Sequence, residues 1–133
     1  MNILVIGATS AIARSISRLY AVKSAKLFLL ARDEERLRES AADLELRGAS
    51  EVKALNYDAE NTNKHSTIVD AAVEFLGSID IALICHGNLP NQEECQADYR
   101  KAEDAIRVNG LSVISLCTEI VNQLRAQKKG TLA

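Results

Sequence analysis

Several kinds of protein are excluded by what is rare or missing in this chain. It has no tryptophan, one proline and 4% aromatic residues, and its three cysteines form no Cys-x-x-Cys pair. An odd number of cysteines without such spacing is typical of free thiols in a reducing compartment. No apolar run approaches the roughly 18 residues that a membrane span needs, and the first residues carry no basic stretch of a signal peptide. These absences predict a cytoplasmic protein without a membrane span.

Charge and composition narrow the range of partners. Sixteen basic residues stand against eighteen acidic ones, the net charge is −2, and no block of one sign occurs. This balance argues against electrostatic binding to nucleic acid or to a membrane surface. The 133 residues, 47% of them apolar, suit one folded domain, residues 1–133, rather than a disordered chain. No cysteine and histidine pair has the spacing of metal ligands, so no metal site is expected.

Short apolar runs alternate with segments of helical periodicity. The run at 2–6 is typical of a strand buried on both faces, and 26–31 is a second apolar strand. Third and fourth strands are predicted at 52–57 and 79–85. Between them, three helical stripes are formed by Ile12, Ile16, Leu19 and Tyr20, by Leu37, Ala41 and Leu44, and by Ile68, Ala72, Phe75 and Leu76. This alternation with short loops predicts an α/β fold with a parallel sheet.

A long helix is predicted over 98–126, after a polar loop that holds Pro90. Apolar side chains cover two of its faces: Ala102, Ile106, Val113, Leu116, Ile120 and Leu124 on one, and Val108, Leu111, Ile114 and Val121 on the other. Such a helix is buried on two sides, so besides the sheet it needs another helix or another subunit. The last residues, 131–133, have strand potential and are read as the start of a fifth strand, which predicts that the sequence is a fragment.

The candidate site lies where parallel sheets bind ligands, beyond the carboxyl ends of the strands. The first strand leads through Gly7, Thr9, Ser10 and Ala11 into a helix. A turn of this kind directs unpaired N–H groups and the positive end of the helix at an anion. The alternative is a plain tight turn that Ser10 caps.

The other strand ends carry further candidates. Arg32 follows the second strand, beside Asp33, a natural helix N-cap. Asp58 and Ala59 follow the third strand, and His86 follows the fourth. Taken singly, Arg32 reads as a solvated charge and Asp58 as a capping residue. Both histidines are expected to be structural or solvent-facing.

Asn109 is a polar residue that falls between Ile106 and Val113 on the apolar face of the long helix. A buried amide without partners costs about 1–3 kcal/mol, so Asn109 is expected to be hydrogen-bonded. The alternative is a tolerated polar residue at a helix bend beside Gly110.

Taken in order along the chain, these segments resemble the short-chain dehydrogenase/reductase family. Gly7, Ala11 and Ala13 take the glycine positions of its TGxxxGxG cofactor loop, in which Thr9, Ser10 and Ile12 also stand. His86 and Gly87 resemble the AHG variant of its NNAG motif. The resemblance implies a Rossmann-like parallel sheet of at least four strands in the order 3-2-1-4, truncated before the fifth. Residues 1–133 would be the NAD(P)-binding, N-terminal part of a reductase.

The resemblance also implies a nicotinamide dinucleotide cofactor. Arg32 directly after the second strand favours the 2′-phosphate of NADP(H), and NAD(H) is the alternative because Asp33 is adjacent. Asp58 and Ala59 would contact the adenine, and His86 and Gly87 would lie near the cofactor ribose. Asn109 would support the water of a proton relay.

The catalytic residues of the family do not occur in these 133 residues. Four residues after Tyr20, Tyr57 and Tyr99 stand Ser24, Asn61 and Glu103, so no Tyr-x-x-x-Lys pair exists, and the family's serine belongs to the fifth strand. The expected function is the NADP(H)-binding portion of an oxidoreductase acting on an unidentified carbonyl or alcohol, and the chain alone is not expected to complete hydride transfer.

The alternative function is a non-catalytic nucleotide-binding or regulatory module that binds a partner through the 98–126 helix. In either case the fourth strand is expected to be an uncovered edge, and the chain is expected to form a homo-oligomer through that helix. A receiver domain needs acids where Gly7-Ala8-Thr9 stands, and Arg32 disfavours a methyltransferase although Asp33 is compatible with one.

Overall fold

Five parallel strands form one sheet in the computed structural model, which describes residues 1–133. The strands are β1 (Asn2–Ile6), β2 (Lys26–Ala31), β3 (Glu51–Asn56), β4 (Ile81–Ile84) and β5 (Thr131–Leu132). Their order is β3-β2-β1-β4-β5, with every neighbouring pair parallel. The predicted α/β class and the order 3-2-1-4 are confirmed, and the sheet continues into a short fifth strand.

The edge of β4 is covered, contrary to the prediction. β5 pairs with the first half of β4, and the Ile84 amide donates to the Ala133 carbonyl at 2.9 Å. The carboxylate of Asp80, just before β4, accepts from the Asn2 amide (2.9 Å) and from the Lys129 ammonium (3.1 Å). These contacts, the Asn2 amide first, lower the pKa of Asp80. The last three residues therefore provide enough backbone to pair with β4.

Six helices flank the sheet. They are α1 (Ala11–Ala21), α2 (Glu34–Leu46), α3 (His65–Leu76), α4 (Gln92–Ala97), α5 (Tyr99–Ile106) and α6 (Ser112–Gln127). The helix predicted over 98–126 is interrupted, because a π-helical turn at Arg107–Leu111 joins α5 to α6. The polar loop before it contains α4, whose first amides donate to the side chain of Asn91.

Helix α1 packs on the sheet chiefly through small side chains, which corrects half of its predicted apolar stripe. Ile16 and Tyr20 are partly buried against the core, as predicted. Ile12 and Leu19 are exposed, whereas Ala13, Ser17 and Ala21 are buried. Three small residues spaced four apart lie on one face of a helix. Small side chains at the centre of this face let the backbone of α1 lie close to the strands, while Ile12 and Leu19 point outward.

The strands separate two apolar layers. One layer packs α3 and α6 against strand residues that include Leu4, Ile6, Phe28 and Leu30. The other packs α1 and α2 against the alternate residues, which include Ile3, Val5, Leu27 and Leu29. Because strand side chains alternate between faces, sheets covered on both sides need continuous apolar strands. The buried strands hold their carboxyl ends in fixed positions.

The outer side of the π-turn and of the helices beside it remains uncovered. Ile106, Leu111 and Ile114 are 62%, 57% and 63% exposed, whereas Leu116 and Ile120 are fully buried. Of the two buried sides predicted for this helix, the structure accounts for the one that faces the sheet.

None of the helices has both the length and the hydropathy that a membrane span requires.

His65 is a buried structural histidine at the start of α3. Its Nε2 donates to the Ala59 carbonyl (2.9 Å), and its Nδ1 accepts from the Ser115 hydroxyl (2.8 Å). Donation to a carbonyl fixes the neutral tautomer with the proton on Nε2. Burial lowers the pKa of His65 below the usual value.

Stability should therefore decrease in mild acid. The unfolded chain takes up a proton near pH 6.5, whereas folded His65 resists it, so its contribution is present above about pH 6.5 and is lost as pH falls towards the folded pKa. Urea unfolding at about pH 7.5 and about pH 5.5 should give a lower midpoint in acid, and His65→Gln should reduce the difference. Equal midpoints for the wild-type chain would contradict this account.

Candidate functional site

A cavity of about 470 Å³ opens at the carboxyl ends of β1 to β4. Nine of the residues predicted for the site line it: Gly7, Thr9, Ser10, Ala11, Arg32, Asp58, Ala59, His86 and Gly87. Ile12 and Asn109 do not. The Ile12 side chain points to solvent on the outer face of α1. Only the backbone amide of Ile12 is therefore a candidate for ligand contact.

Gly7 permits the closest backbone approach in the site. Its φ is +78°, and an added Cβ would collide with the His86 amide nitrogen and lie 2.6 Å from the Cys85 carbonyl carbon. The amides of Gly7 and Ala8 both donate to the Leu30 carbonyl, at 2.8 and 3.0 Å. The β1–α1 turn is therefore held between the ends of β2 and β4.

The N-terminus of α1 faces this turn with free donors. The Ser10 hydroxyl caps the helix by accepting from the Ala13 amide at 3.1 Å, so the capping interpretation of Ser10 is correct. The amides of Ala11 and Ile12 have no acceptor within the chain. Free N–H groups and the positive end of the helix dipole make this turn suitable for an anion.

Two arginines lie on the β2 side of the cavity. Arg32 follows β2, and its Nη1 lies 3.8 Å from Oε1 of Glu60. Arg36, in the first turn of α2, donates from Nη2 to the Thr9 carbonyl at 3.4 Å. The Asp33 carboxylate accepts from the Arg36 amide at 3.0 Å and so caps α2, as predicted.

The turn after β3 is fixed by its own polar groups. The Asp58 carboxylate accepts from the Glu60 amide at 3.0 Å. It therefore stabilises the turn and does not cap a helix, since the short helical turn that follows has Asn61 at its N-cap position. The Tyr57 hydroxyl donates to the Asn61 carbonyl at 2.7 Å. Burial, with a contribution from the Asp58 charge, raises the pKa of Tyr57 to about 12. Tyr57 therefore stays protonated at neutral pH and is a poor general base.

His86 connects the end of β4 to the π-turn. The Ser112 hydroxyl donates to the Val108 carbonyl at 2.6 Å and accepts from His86 Nε2 at 2.7 Å. This arrangement places the proton on Nε2 and leaves Nδ1 as a buried acceptor without a partner. Burial lowers the pKa of His86, which favours the neutral imidazole. The structural role expected for His86 is present, in the wall of the cavity.

Asn109 lies in the π-turn and is exposed, which corrects its predicted position on a buried face. The alternative, a polar residue at an irregular point of the helix beside Gly110, agrees with this position. The wider π-turn shifts the helical register, so the spacing from Ile106 does not hold beyond it. Asn109 is nevertheless hydrogen-bonded, as expected. Its Oδ1 accepts from the Asn88 amide and its Nδ2 donates to the Asn88 carbonyl, each at 2.9 Å. These bonds tie the segment after β4 to the helix.

Half of the 18 lining residues were not predicted for the site, among them the charged Arg36 and Glu60 and the apolar Val108. Arg36 could have been found, because a residue three positions after an N-cap lies in the first helical turn, beside the strand ends. Glu60 carries no such signal, since the turn after β3 has no regular period. Val108 reaches the cavity only because of the π-turn.

The cysteines and acidic groups show no other chemistry. All three cysteines are free, and burial raises the pKa of the Cys85 thiol, which disfavours a thiolate nucleophile. No group of three or more His, Cys, Asp or Glu side chains is arranged to hold a metal ion.

Comparison with known proteins identifies the family. The family model described as short chain dehydrogenase matches residues 1–133. The chain belongs to the short-chain dehydrogenase family. Among curated members, a hydroxysteroid 11-beta-dehydrogenase 1-like protein of Xenopus tropicalis is 33% identical over 132 residues, which cover 98% of this chain and 46% of that protein. The chain spans about half the length of the curated relatives it matches.

Solved structures share the fold of this short-chain dehydrogenase chain. NAD⁺-bound xylitol dehydrogenase matches with a TM-score of 0.90 at 19% identity, over 98% of this chain and 50% of that one. An actinorhodin polyketide ketoreductase with NADPH matches with a TM-score of 0.87 at 21% identity, over 98% and 51%. At these identities the similarity establishes the fold, and it includes one protein with NAD⁺ and one with NADPH.

Proposed function

We propose that the cavity binds a nicotinamide dinucleotide, with NADP(H) preferred over NAD(H), and that the chain is the cofactor-binding part of an oxidoreductase. The observation that carries the proposal is the pairing of two features in one cavity. The free amides at the start of α1 face the closely packed Gly7 turn, and two arginines stand on the β2 side.

The β1–α1 turn fits a pyrophosphate. Gly7 keeps the turn close to β4, and the amides of Ala11 and Ile12 offer unused donors at a helix N-terminus. Thr9 and Ser10 add hydroxyl groups to the wall. Backbone donors at a helix N-terminus are a general binding site for phosphate groups.

The end of β2 fits a ribose 2′-phosphate. Arg32 and Arg36 both line this part of the cavity, and guanidinium groups bind phosphate oxygens through charge-assisted hydrogen bonds. Asp33, which would favour the ribose diol of NAD(H), already uses one carboxylate oxygen to cap α2. Because this oxygen is already hydrogen-bonded within the chain, the arrangement supports NADP(H) over NAD(H).

The remaining residues complete the assignment. Asp58 and Ala59 would contact the adenine, and Gly87 would leave room for the second ribose. The unpartnered Nδ1 of His86 would accept a hydrogen bond from a bound hydroxyl or water. Because the amide of Asn109 is committed to Asn88, we propose that Asn109 supports the proton relay by fixing the segment after β4.

The cofactor supplies a hydride for a carbonyl substrate, or accepts one from an alcohol. The chain's own residues bind the adenosine and pyrophosphate and orient the nicotinamide towards the end of β4. The three free cysteines support a cytoplasmic location for this chemistry.

Calorimetric titration of the purified 133-residue chain tests the proposal. NADP⁺ should bind more tightly than NAD⁺, because only NADP⁺ has a 2′-phosphate for the arginines. Adenosine 2′,5′-bisphosphate should likewise bind more tightly than 5′-AMP. Failure of both dinucleotides to bind would overturn the proposal, and tighter binding of NAD⁺ would overturn the preference.

The exposed apolar residues around the π-turn favour self-association as a second property. We propose that Leu111 and Ile114, neighbours on one helical face and each more than half exposed, are covered by a second copy of the chain. This surface also suits the second candidate function, a nucleotide-binding regulatory module that holds a partner protein.

Ile114→Lys should convert a dimer into a monomer of 14.5 kDa in sedimentation equilibrium, because it places a charge in the apolar contact. Leu46→Lys, at an exposed apolar position on α2, is the control and should leave the mass unchanged. A wild-type chain that stays monomeric at high concentration would rule out self-association through this surface.

A further inference from the structure

The two arginines of the cavity have different partners in the unliganded chain. Arg36 donates to a neutral carbonyl, that of Thr9, at 3.4 Å. Arg32 faces a carboxylate, with 3.8 Å between its Nη1 and Oε1 of Glu60. Only Arg32 therefore has an anionic partner that a bound phosphate would have to replace.

The backbone around this ion pair is held on both sides. The Asn56 side chain donates to the Arg32 carbonyl at 2.5 Å, which ties the end of β2 to the end of β3. The Asp58 carboxylate accepts from the Glu60 amide, which fixes the turn that carries Glu60. Both side chains line the cavity, and they are 64% and 38% exposed. The backbone of Glu60 is therefore held beside that of Arg32 by hydrogen bonds that do not involve the Glu60 carboxylate.

We infer that Glu60 is a specificity-determining residue that weakens the binding of a 2′-phosphate by competing with it for Arg32. The inference rests on the proposed dinucleotide site. Glu60 is a positioning residue, because it acts through Arg32. Its effect is confined to ligands that carry the 2′-phosphate, since the ribose diol of NAD⁺ is uncharged and does not need the Arg32 cation.

The test is Glu60→Gln, which keeps the size of the side chain and removes its charge. NADP⁺ and adenosine 2′,5′-bisphosphate should bind about three- to fivefold more tightly, the range expected from losing an exposed ion-pair competitor. The affinities for NAD⁺ and 5′-AMP should change less than about twofold. The gain should shrink as salt is raised towards about 1 M, because the charges are solvent-exposed.

Glu51→Gln is the matched control. Glu51 also forms an exposed ion pair, with Lys26 at 3.0 Å, but it lies at the opposite end of the sheet. The control makes the same change in net charge, and it should leave all four affinities unchanged. Urea unfolding of both variants checks that each is folded.

The outcomes separate the inference from the proposed function. Unchanged or weaker NADP⁺ binding by Glu60→Gln, in a wild-type chain that binds NADP⁺, would overturn the role of Glu60 alone. An equal change for NAD⁺ and NADP⁺ would show a merely structural effect and would also overturn it. A wild-type chain that binds neither dinucleotide would overturn the proposed function, and the inference with it.

Discussion

Gly7→Ala should destabilise the chain by about 3 kcal/mol or more in urea unfolding. The added methyl would meet the backbone of Cys85 and His86, with the Cys85 carbonyl carbon at 2.6 Å. Backbone atoms at the end of a buried strand cannot move aside as a flexible side chain can. The positive φ of +78° adds strain for any residue with a Cβ. Because domains of this size have a free energy of unfolding of about 5–15 kcal/mol, the loss should be easily measured.

Gly77→Ala is the matched control for this change. Gly77 ends α3 with almost the same φ, +81°, but an added Cβ there would meet nothing within 4 Å. Its cost should be the backbone strain alone, about 1 kcal/mol. The difference between the two variants measures the collision at Gly7. Equal losses would show that the β1–α1 turn is not packed against the end of β4 as described.

Arg32→Gln should weaken NADP⁺ binding about 10- to 100-fold, the effect of losing a charge-assisted hydrogen bond to phosphate. NAD⁺ binding should change by less than about threefold, because the ribose diol needs no cation. Arg36 remains in the cavity, so some preference for NADP⁺ should survive. Calorimetric titration with each dinucleotide measures both affinities.

Arg38→Gln controls for the loss of one positive charge on the same side of the fold. Arg38 is exposed on α2 and is not part of the cavity wall. The NADP⁺ affinity of the Arg38→Gln variant should stay within about twofold of the wild-type value, because solvent screens the distant charge of Arg38. Similar losses for Arg32→Gln and Arg38→Gln would indicate a general electrostatic effect rather than a phosphate contact.

The fold was predictable because its two central strands, β1 and β2, are buried on both faces. Continuous apolar runs such as Asn2–Ile6 and Lys26–Ala31 are characteristic of parallel sheets covered by helices, and the structure has both as strands. Caps were also visible in the sequence, since Ser10 and Asp33 cap the helices that they precede. The carboxyl ends of the strands then fix which loops meet at one edge.

The predictions for α1 and for Asn109 were wrong where the burial of a residue does not follow from the size of its apolar side chain or from a regular helical period. In α1 the fully buried residues are Ala13, Ser17 and Ala21. The predicted stripe of larger residues is right for Ile16 and Tyr20, which are partly buried, and wrong for the exposed Ile12 and Leu19. Asn109 was misplaced because a π-turn is set by tertiary contacts, including the His86–Ser112 hydrogen bond. No periodic pattern in the sequence indicates such contacts.

The charge balance of the cavity was only partly visible in the sequence. Arg32 could be assigned because it directly follows a strand. Glu60 lies in an irregular turn, so its position opposite Arg32 depends on the hydrogen bonds of Asn56 and Asp58. Preference between two cofactors that differ by one phosphate depends on such pairs, and they are defined by geometry.

The most direct test of the central claim is a map of the amides that change when NADP⁺ is added. Two-dimensional NMR spectra of the isotopically labelled chain would be recorded with and without saturating NADP⁺. The account predicts changes at the strand ends that form the cavity, centred on Gly7–Ile12, Arg32, Asp58–Glu60 and His86–Gly87. Changes confined to α5 and α6, or spectra unaltered by NADP⁺, would contradict a dinucleotide site at the carboxyl edge of the sheet.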